Sequence, residues 1–154
     1  MTLRSLTDRS DLVALPRGIF EVRVYRGRRL IEHVVDRNLV VNGMKATLAN
    51  LLGAGTAAHV ITQIAFGSSG AVAAVGDVRP LQNEYLRAIG LATYPLVGQV
   101  RFAWSLGAAE ANGLAIREFG LVTTGGVLVA RKSRASAIQK ENDVTLEGSW
   151  TLVF

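Results

Sequence analysis

The sequence predicts an α+β fold that is mainly β. The expected architecture is antiparallel, β-sandwich-like sheets with one principal helix over about residues 43–52 and a second, short helix over about 81–89. Three observations carry this. Residues 99–132 run as strand, turn, strand, turn, strand: QVRFAWSL, GAAEANG, LAIREFGLV, TTGG, VLVARK. Residues 18–25 alternate, with Phe20, Val22 and Val24 on one side and Glu21, Arg23 and Tyr25 on the other, which is the period-two pattern of a half-buried strand. Met44, Leu48, Leu51 and Leu52 fall at i, i+4, i+7 and i+8, the stripe of an amphipathic helix.

Taken in order, residues 1–17 show no clean period and end near Pro16, so they read as an extended N-terminal arm preceding a single β-rich domain over 18–154. Arg26-Gly27-Arg28 is a turn in which Gly27 is free to take positive φ, and residues 29–35 pair back to complete a hairpin. Asn42 is the expected N-cap of the principal helix and Gly53 its C-terminal stop. Residues 60–66 (VITQIAF) form a strand ending in Gly67-Ser68-Ser69-Gly70, and the small residues after it read as loop. Pro80 suits the first turn of the short helix, whose inner face is Leu81, Tyr85, Leu86 and Ile89. In the β-run, Val100, Phe102, Trp104 and Leu106 share a face. Residues 133–143 are polar and loop-like. The last strand aligns Val144, Leu146, Trp150, Leu152 and Phe154, and Gly148 on the same side makes room for a neighbour's ring.

The 154 residues fit one domain large enough to bury a core. Apolar residues make up 49% and charged residues only 19%, a balance that points either to a generous core or to surface covered by another protein. Of the 17 basic residues only Lys45, Lys132 and Lys140 are lysines, and arginine is the residue suited to interfaces. The net charge of +5 is spread along the chain; its one dense group is Arg23, Arg26, Arg28 and Arg29 on and beside the hairpin. A nucleic-acid surface gathers more charge, with aromatics between, so nucleic acid is not the expected partner. The absence of cysteine excludes disulfides, thiolate metal sites and a thiol nucleophile. No apolar run approaches the roughly 18 residues of a membrane span. The first residues carry Asp8 and Asp11 and no apolar segment, so they do not read as a signal peptide.

Motifs that could carry chemistry resolve into ordinary structure. Gly67-Ser68-Ser69-Gly70 follows a strand, but the Lys-Ser/Thr pair and helix start of a phosphate loop are missing, and it is not a nucleophile elbow. His33 reads as solvent-facing on a strand and His59 as a loop residue. Glu110 and Glu118 are the best carboxylate pair; Glu110 reads as a solvated acid in a turn, and Glu118 as the ion-pair partner of neighbouring Arg117. The aromatics Phe102, Trp104, Phe119, Trp150 and Phe154 read as core. No catalytic residue, cofactor site or metal site is expected.

Four segments in order, VVNGMKATLANLLG, ITQIAFGSSGAVAAVGD, PLQNEYLRAI and AIREFGLVTTGGVLVARK, resemble the N-terminal region of bacteriophage tail-collar fibre proteins and related small tail or baseplate proteins. The resemblance covers about residues 38–132. Its positions here are Asn42 and Gly43, Phe66 and Gly67, Asp77, Asn83, Glu84 and Arg87, then Ile116, Arg117, Glu118, Gly120 and Leu121. This chain departs from the pattern by its extra hairpin, Gly18 to Val35, and by ending at Phe154 without a long fibre shaft or receptor-binding tip. The resemblance implies a virion structural protein of the phage tail, made in the bacterial host cytoplasm. It implies a homo-oligomer, guessed as a trimer, bound to other tail or baseplate proteins. The interaction candidates are Arg117, Glu118, Asn42, Gly67, Arg26 and Arg28. The alternatives are a surface- or carbohydrate-binding module using loops 67–78 and 107–113, and a basic nucleic-acid-associated virion protein.

Overall fold

The computed structural model describes residues 16–79 and 81–154. Among the described residues, eight strands form one antiparallel sheet: β1 (Arg17–Arg26), β2 (Arg29–Val40), β3 (Ile61–Gly67), β4 (Tyr85–Ala88), β5 (Gln99–Leu106), β6 (Ala115–Thr123), β7 (Leu128–Gln139) and β8 (Val144–Val153). A single α-helix among the described residues, α1 (Gly43–Gly53), follows β2, and a 3₁₀ turn spans Ala57–His59. The strand order is β4-β3-β6-β7-β2-β1-β8-β5, so β4 and β5 are the edges. The sheet wraps around one core, and the mainly β character expected from the alternating segments is what the chain adopts.

The hairpin arises as its sequence dictates. Gly27 sits at φ +57 in a two-residue turn closed by Arg26 and Arg29, the left-handed geometry that right-twisted strands need. Ile31 is the extra residue of a bulge, since Val24 faces Glu32 while Tyr25 faces Leu30. β1 also pairs with β8 along its whole length, from Arg17↔Val153 to Arg26↔Val144. Arg17 is thus a strand residue; the rest of the expected arm, residues 1–15, lies outside the described residues.

The core is aromatic at its centre. The Phe20 ring lies 4.7 Å from Phe119, 5.0 Å from Trp150 and 5.8 Å from Trp104, and Phe66 packs edge-on against Trp104 at 5.6 Å. Phe102, Leu106, Leu146 and Leu152 complete this layer. Gly148 is the notch that admits Trp104: a Cβ there would stand 2.5 Å from the indole and collide with the Glu21 carbonyl. Phe154 falls past the end of β8 and is exposed, so it does not join the aligned face.

Four local expectations are corrected. Residues 81–89 are not a helix. Asn83 takes φ +51, which breaks any helix there, and Tyr85–Ala88 pair with β3 from Phe66↔Tyr85 to Gln63↔Ala88. A nine-residue helix is marginal alone, and an available sheet edge outcompetes it. Of its expected inner face, Leu81 is buried but Leu86 is exposed. Only residues 140–143 of the expected 133–143 loop are loop: β7 runs on to Gln139, pairing Ile116↔Ile138 and Ala115↔Gln139 beyond an irregular stretch. Its polarity has a cause. Only Leu39 and Val40 of β2 pair with β7; beyond them the strands part and are laced by Lys132–Asp36 (2.5 Å) and Arg134–Glu32 (2.7 Å).

The ends of α1 also differ from expectation. Asn42 occupies the N-cap position but makes no side-chain cap bond; its N–H instead donates to the Val75 carbonyl at 2.8 Å. Gly53 is the last helical residue, and the left-handed stop is Gly55 at φ +62, whose N–H returns to Asn50 O at 3.0 Å. Met44 is buried and Leu48 packs on the core, whereas Leu52 points to solvent.

Candidate interaction site: a pinned loop and an uncharged cleft

Two features stand on this frame. The first is the loop over residues 68–84, which lies across the outer face of β3, β6 and β7. Leu81 plugs that face among Val41, Ala65, Val122 and Leu128. Gly120 leaves it space, since a Cβ there would come 3.2 Å from Leu81 and 2.8 Å from Leu128.

The loop is held from below by a buried carboxylate. Glu118 Oε1 accepts from the backbone N–H of Ser69 (3.1 Å) and of Gln82 (2.9 Å), one at each end of the loop. Its Oε2 accepts from Arg131 Nε (2.9 Å) and Nη2 (2.8 Å). Arg131 Nη1 then reaches Asp77 in mid-loop at 3.0 Å, and Asp77 also accepts from the Ala74 N–H at 2.8 Å. The Glu118 and Arg131 side chains are 2% and 5% exposed. Such a network holds its geometry because every partner removed strands a charge or a donor. Gly67 belongs to it: the Glu118 carboxylate occupies the space that a Cβ would need. Arg79 pairs with Glu84 and donates to Gly126 O at 3.2 Å, closing the far side of the loop.

Three of the six sequence-predicted residues therefore meet at this loop. Glu118 holds both ends, Gly67 makes room for it, and Asn42 ties Val75. Arg117 does not serve as the partner of Glu118. Arg117 sits at the irregularity between Ile116 and Glu118, where its side chain is exposed and its guanidinium lies beside Gly70 of the loop. The true partner, Arg131, is on the neighbouring strand beside Gly120. Arg26 and Arg28 lie elsewhere, at the hairpin tip. Arg26 pairs with Asp143 (2.9 Å) and Glu141 (3.2 Å); Arg28 is exposed.

Glu110 is not a solvated turn acid. It pairs with Arg87 on edge strand β4 and accepts from the Gly107 N–H at 2.6 Å. Behind it, Lys140 is buried and donates to Ala108 O (3.2 Å), Asn112 Oδ1 (2.9 Å) and Glu141 O (2.9 Å). Burial holds its pKa below the ordinary lysine value. His33 is an exposed strand residue that hydrogen-bonds Glu21 at 3.0 Å, and His59 sits in the 3₁₀ turn, 2.5 Å from Thr56 Oγ1.

The second feature is a cleft at the open seam of the sheet, about 1020 Å³ in volume. Its walls come from α1 (Met44, Leu48, Leu51), from β3, from the segment after β4, and from β5 and the end of β8 (Val100, Leu152). No side chain that lines it carries a charge. Residues 89–98 cross the seam. They are fixed at one end by Ile89 N–H to Thr62 O (3.0 Å) and at the other by the reciprocal Thr93–Arg101 backbone bonds (2.9 and 2.8 Å). The crossing ends in a turn, Leu96 to Gln99, closed by Gln99 N–H to Leu96 O at 3.1 Å with Gly98 at φ +76. Leu96 and Val97 stand out from that turn into solvent, with Leu91 and Tyr94 exposed beside them. Sequence reading missed this site. Its signal was the apolar run Leu91, Tyr94, Leu96 and Val97 between two breaks, which the fold leaves uncovered.

No family model, curated protein or solved structure matches this chain.

Proposed function

We propose that this chain is a structural component of a bacteriophage or prophage-derived virion, a small tail-fibre, collar or baseplate protein that assembles by protein–protein contacts. The observation that supports this most is the apolar cleft with its exposed apolar turn. It is a sizeable apolar surface on a firmly tied β scaffold, and surfaces of that kind mark sites of protein association. The segment order that resembles tail-collar fibre proteins gives the association its setting. The pinned loop contributes stiffness, because Glu118 ties it at both ends, at Ser69 and Gln82, over one face of the sheet.

The test is compositional. Particles made by a strain carrying the gene are purified on a density gradient, and their protein content is measured by quantitative mass spectrometry. The expected result is this chain in the particle fraction at a fixed number of copies. Its presence only in the soluble fraction, with particles intact, overturns the reading.

A further inference from the structure

We infer that the partner in the cleft is a second copy of this chain, with the Leu96–Val97 turn of one copy seated in the cleft of the next. This rests on the self-assembly part of the reading above and names its surface.

Three observations favour this occupant. The first is charge. Each copy carries +5, so like copies repel, and repulsion is least where both surfaces are uncharged. No side chain lining the cleft is charged, and the turn beside it presents Leu96 and Val97. The second is chemistry. The Val97 peptide N–H and C=O have no partner among the described residues, so the turn offers both apolar side chains and free polar groups. The third is pre-organisation. Gly98 at positive φ, the Gln99–Leu96 bond, the Phe154 N–H to Gly98 O bond (2.9 Å) and the Thr93–Arg101 bonds hold the turn in one shape. A rigid projection loses little conformational freedom when it docks.

The test uses the full chain. Native mass spectrometry and sedimentation are expected to show a concentration-dependent oligomer. Val97→Asp replaces an exposed side chain, so its far-UV spectrum should be unchanged. Its dissociation constant for self-association should rise at least about tenfold, or 1.4 kcal/mol. The chain has no cysteine, so mixing Leu51→Cys protein with Val97→Cys protein under mild oxidation reads the contact directly. A mixed 51–97 cross-link should form, well above that given by Val72→Cys, an exposed position outside the cleft. A monomeric wild type, an oligomer indifferent to Val97→Asp, or cross-linking no better than the Val72→Cys control each overturns the proposal. So does a monomer whose cleft takes up a fluorescent anilinonaphthalene probe in place of a second copy. An oligomer that passes these tests but is absent from particles keeps the contact and overturns the virion reading. A particle-borne chain indifferent to Val97→Asp does the reverse.

Discussion

Replacing Glu118 by Gln removes one negative charge and keeps the side chain's shape. The new amide can still accept from the Ser69 and Gln82 N–H groups through its oxygen. Its NH₂ must then face Arg131, where two N–H donors now point at another donor. The guanidinium keeps only Asp77, which is partly exposed and mid-loop. Breaking one side of a buried pair costs about 3–5 kcal/mol, because the surviving charge stays desolvated. Urea unfolding followed by the fluorescence of Trp104 and Trp150 measures this. With a urea slope of about 2 kcal/mol per molar, the midpoint should fall by roughly 2 M. Hydrogen exchange adds a local readout: the amides of Ser69 and Gln82 should lose protection before those of β1 and β8. Arg117→Ala is the matched control. Its side chain is exposed and holds neither end of the loop, and its effect should stay within about 0.5 kcal/mol. Equal losses in the two variants, or a Glu118→Gln midpoint indistinguishable from wild type, would refute the pinned-loop account.

Three other perturbations test separate parts of the fold. Gly148→Ala drives a methyl into the Trp104 indole and the Glu21 carbonyl, and should cost about 1–3 kcal/mol with an altered near-UV spectrum. Lys140→Met keeps the alkyl stem but orphans its three acceptors, for a loss of about 1–3 kcal/mol in thermal unfolding. Because burial lowers the Lys140 pKa, the unfolded chain binds that proton more tightly. This group's contribution to stability therefore rises with pH from its lowered folded value towards 10.5, and the rise should be missing in Lys140→Met. Asp36 is shifted the other way in effect: its hydrogen bonds from Lys132 and the Arg37 N–H hold its pKa below 3.8. Its contribution is present above that value and lost as pH falls through the lowered one, so Asp36→Asn should flatten the acid limb of the stability profile slightly.

What could be read from the sequence was what depends on near neighbours. The alternation of Phe20, Val22 and Val24, the Gly27 turn and the helix after Met44 formed as local chemistry dictates, though Leu52 of the expected stripe faces solvent. Even the Gly148 notch was legible, because a glycine among large inward residues implies a ring opposite. What depends on register was not. Residues 81–89 carry a helical spacing, yet the free edge of β3 captures Tyr85–Ala88. Residues 133–139 look like loop because they lie where β7 leaves β2 and must meet solvent and ion pairs. Glu118 was matched with adjacent Arg117, whereas its partner lies thirteen positions on, brought alongside only by the turn at Gly125 and Gly126. The cleft was hidden for a related reason: its walls come from five separated stretches of chain.

The pairing of β1 with β8 governs how this molecule carries tension. Arg17 and Val153 lie opposite each other at one end of a long antiparallel ladder. A pull applied at those two residues loads the rungs one at a time, like a zip, rather than all together. Such a ladder yields at low force. A load across the side faces, through β5 and the segment fastened to it, would instead be shared among many rungs at once. The robust route for mechanical stress runs transversely through the body of the sheet.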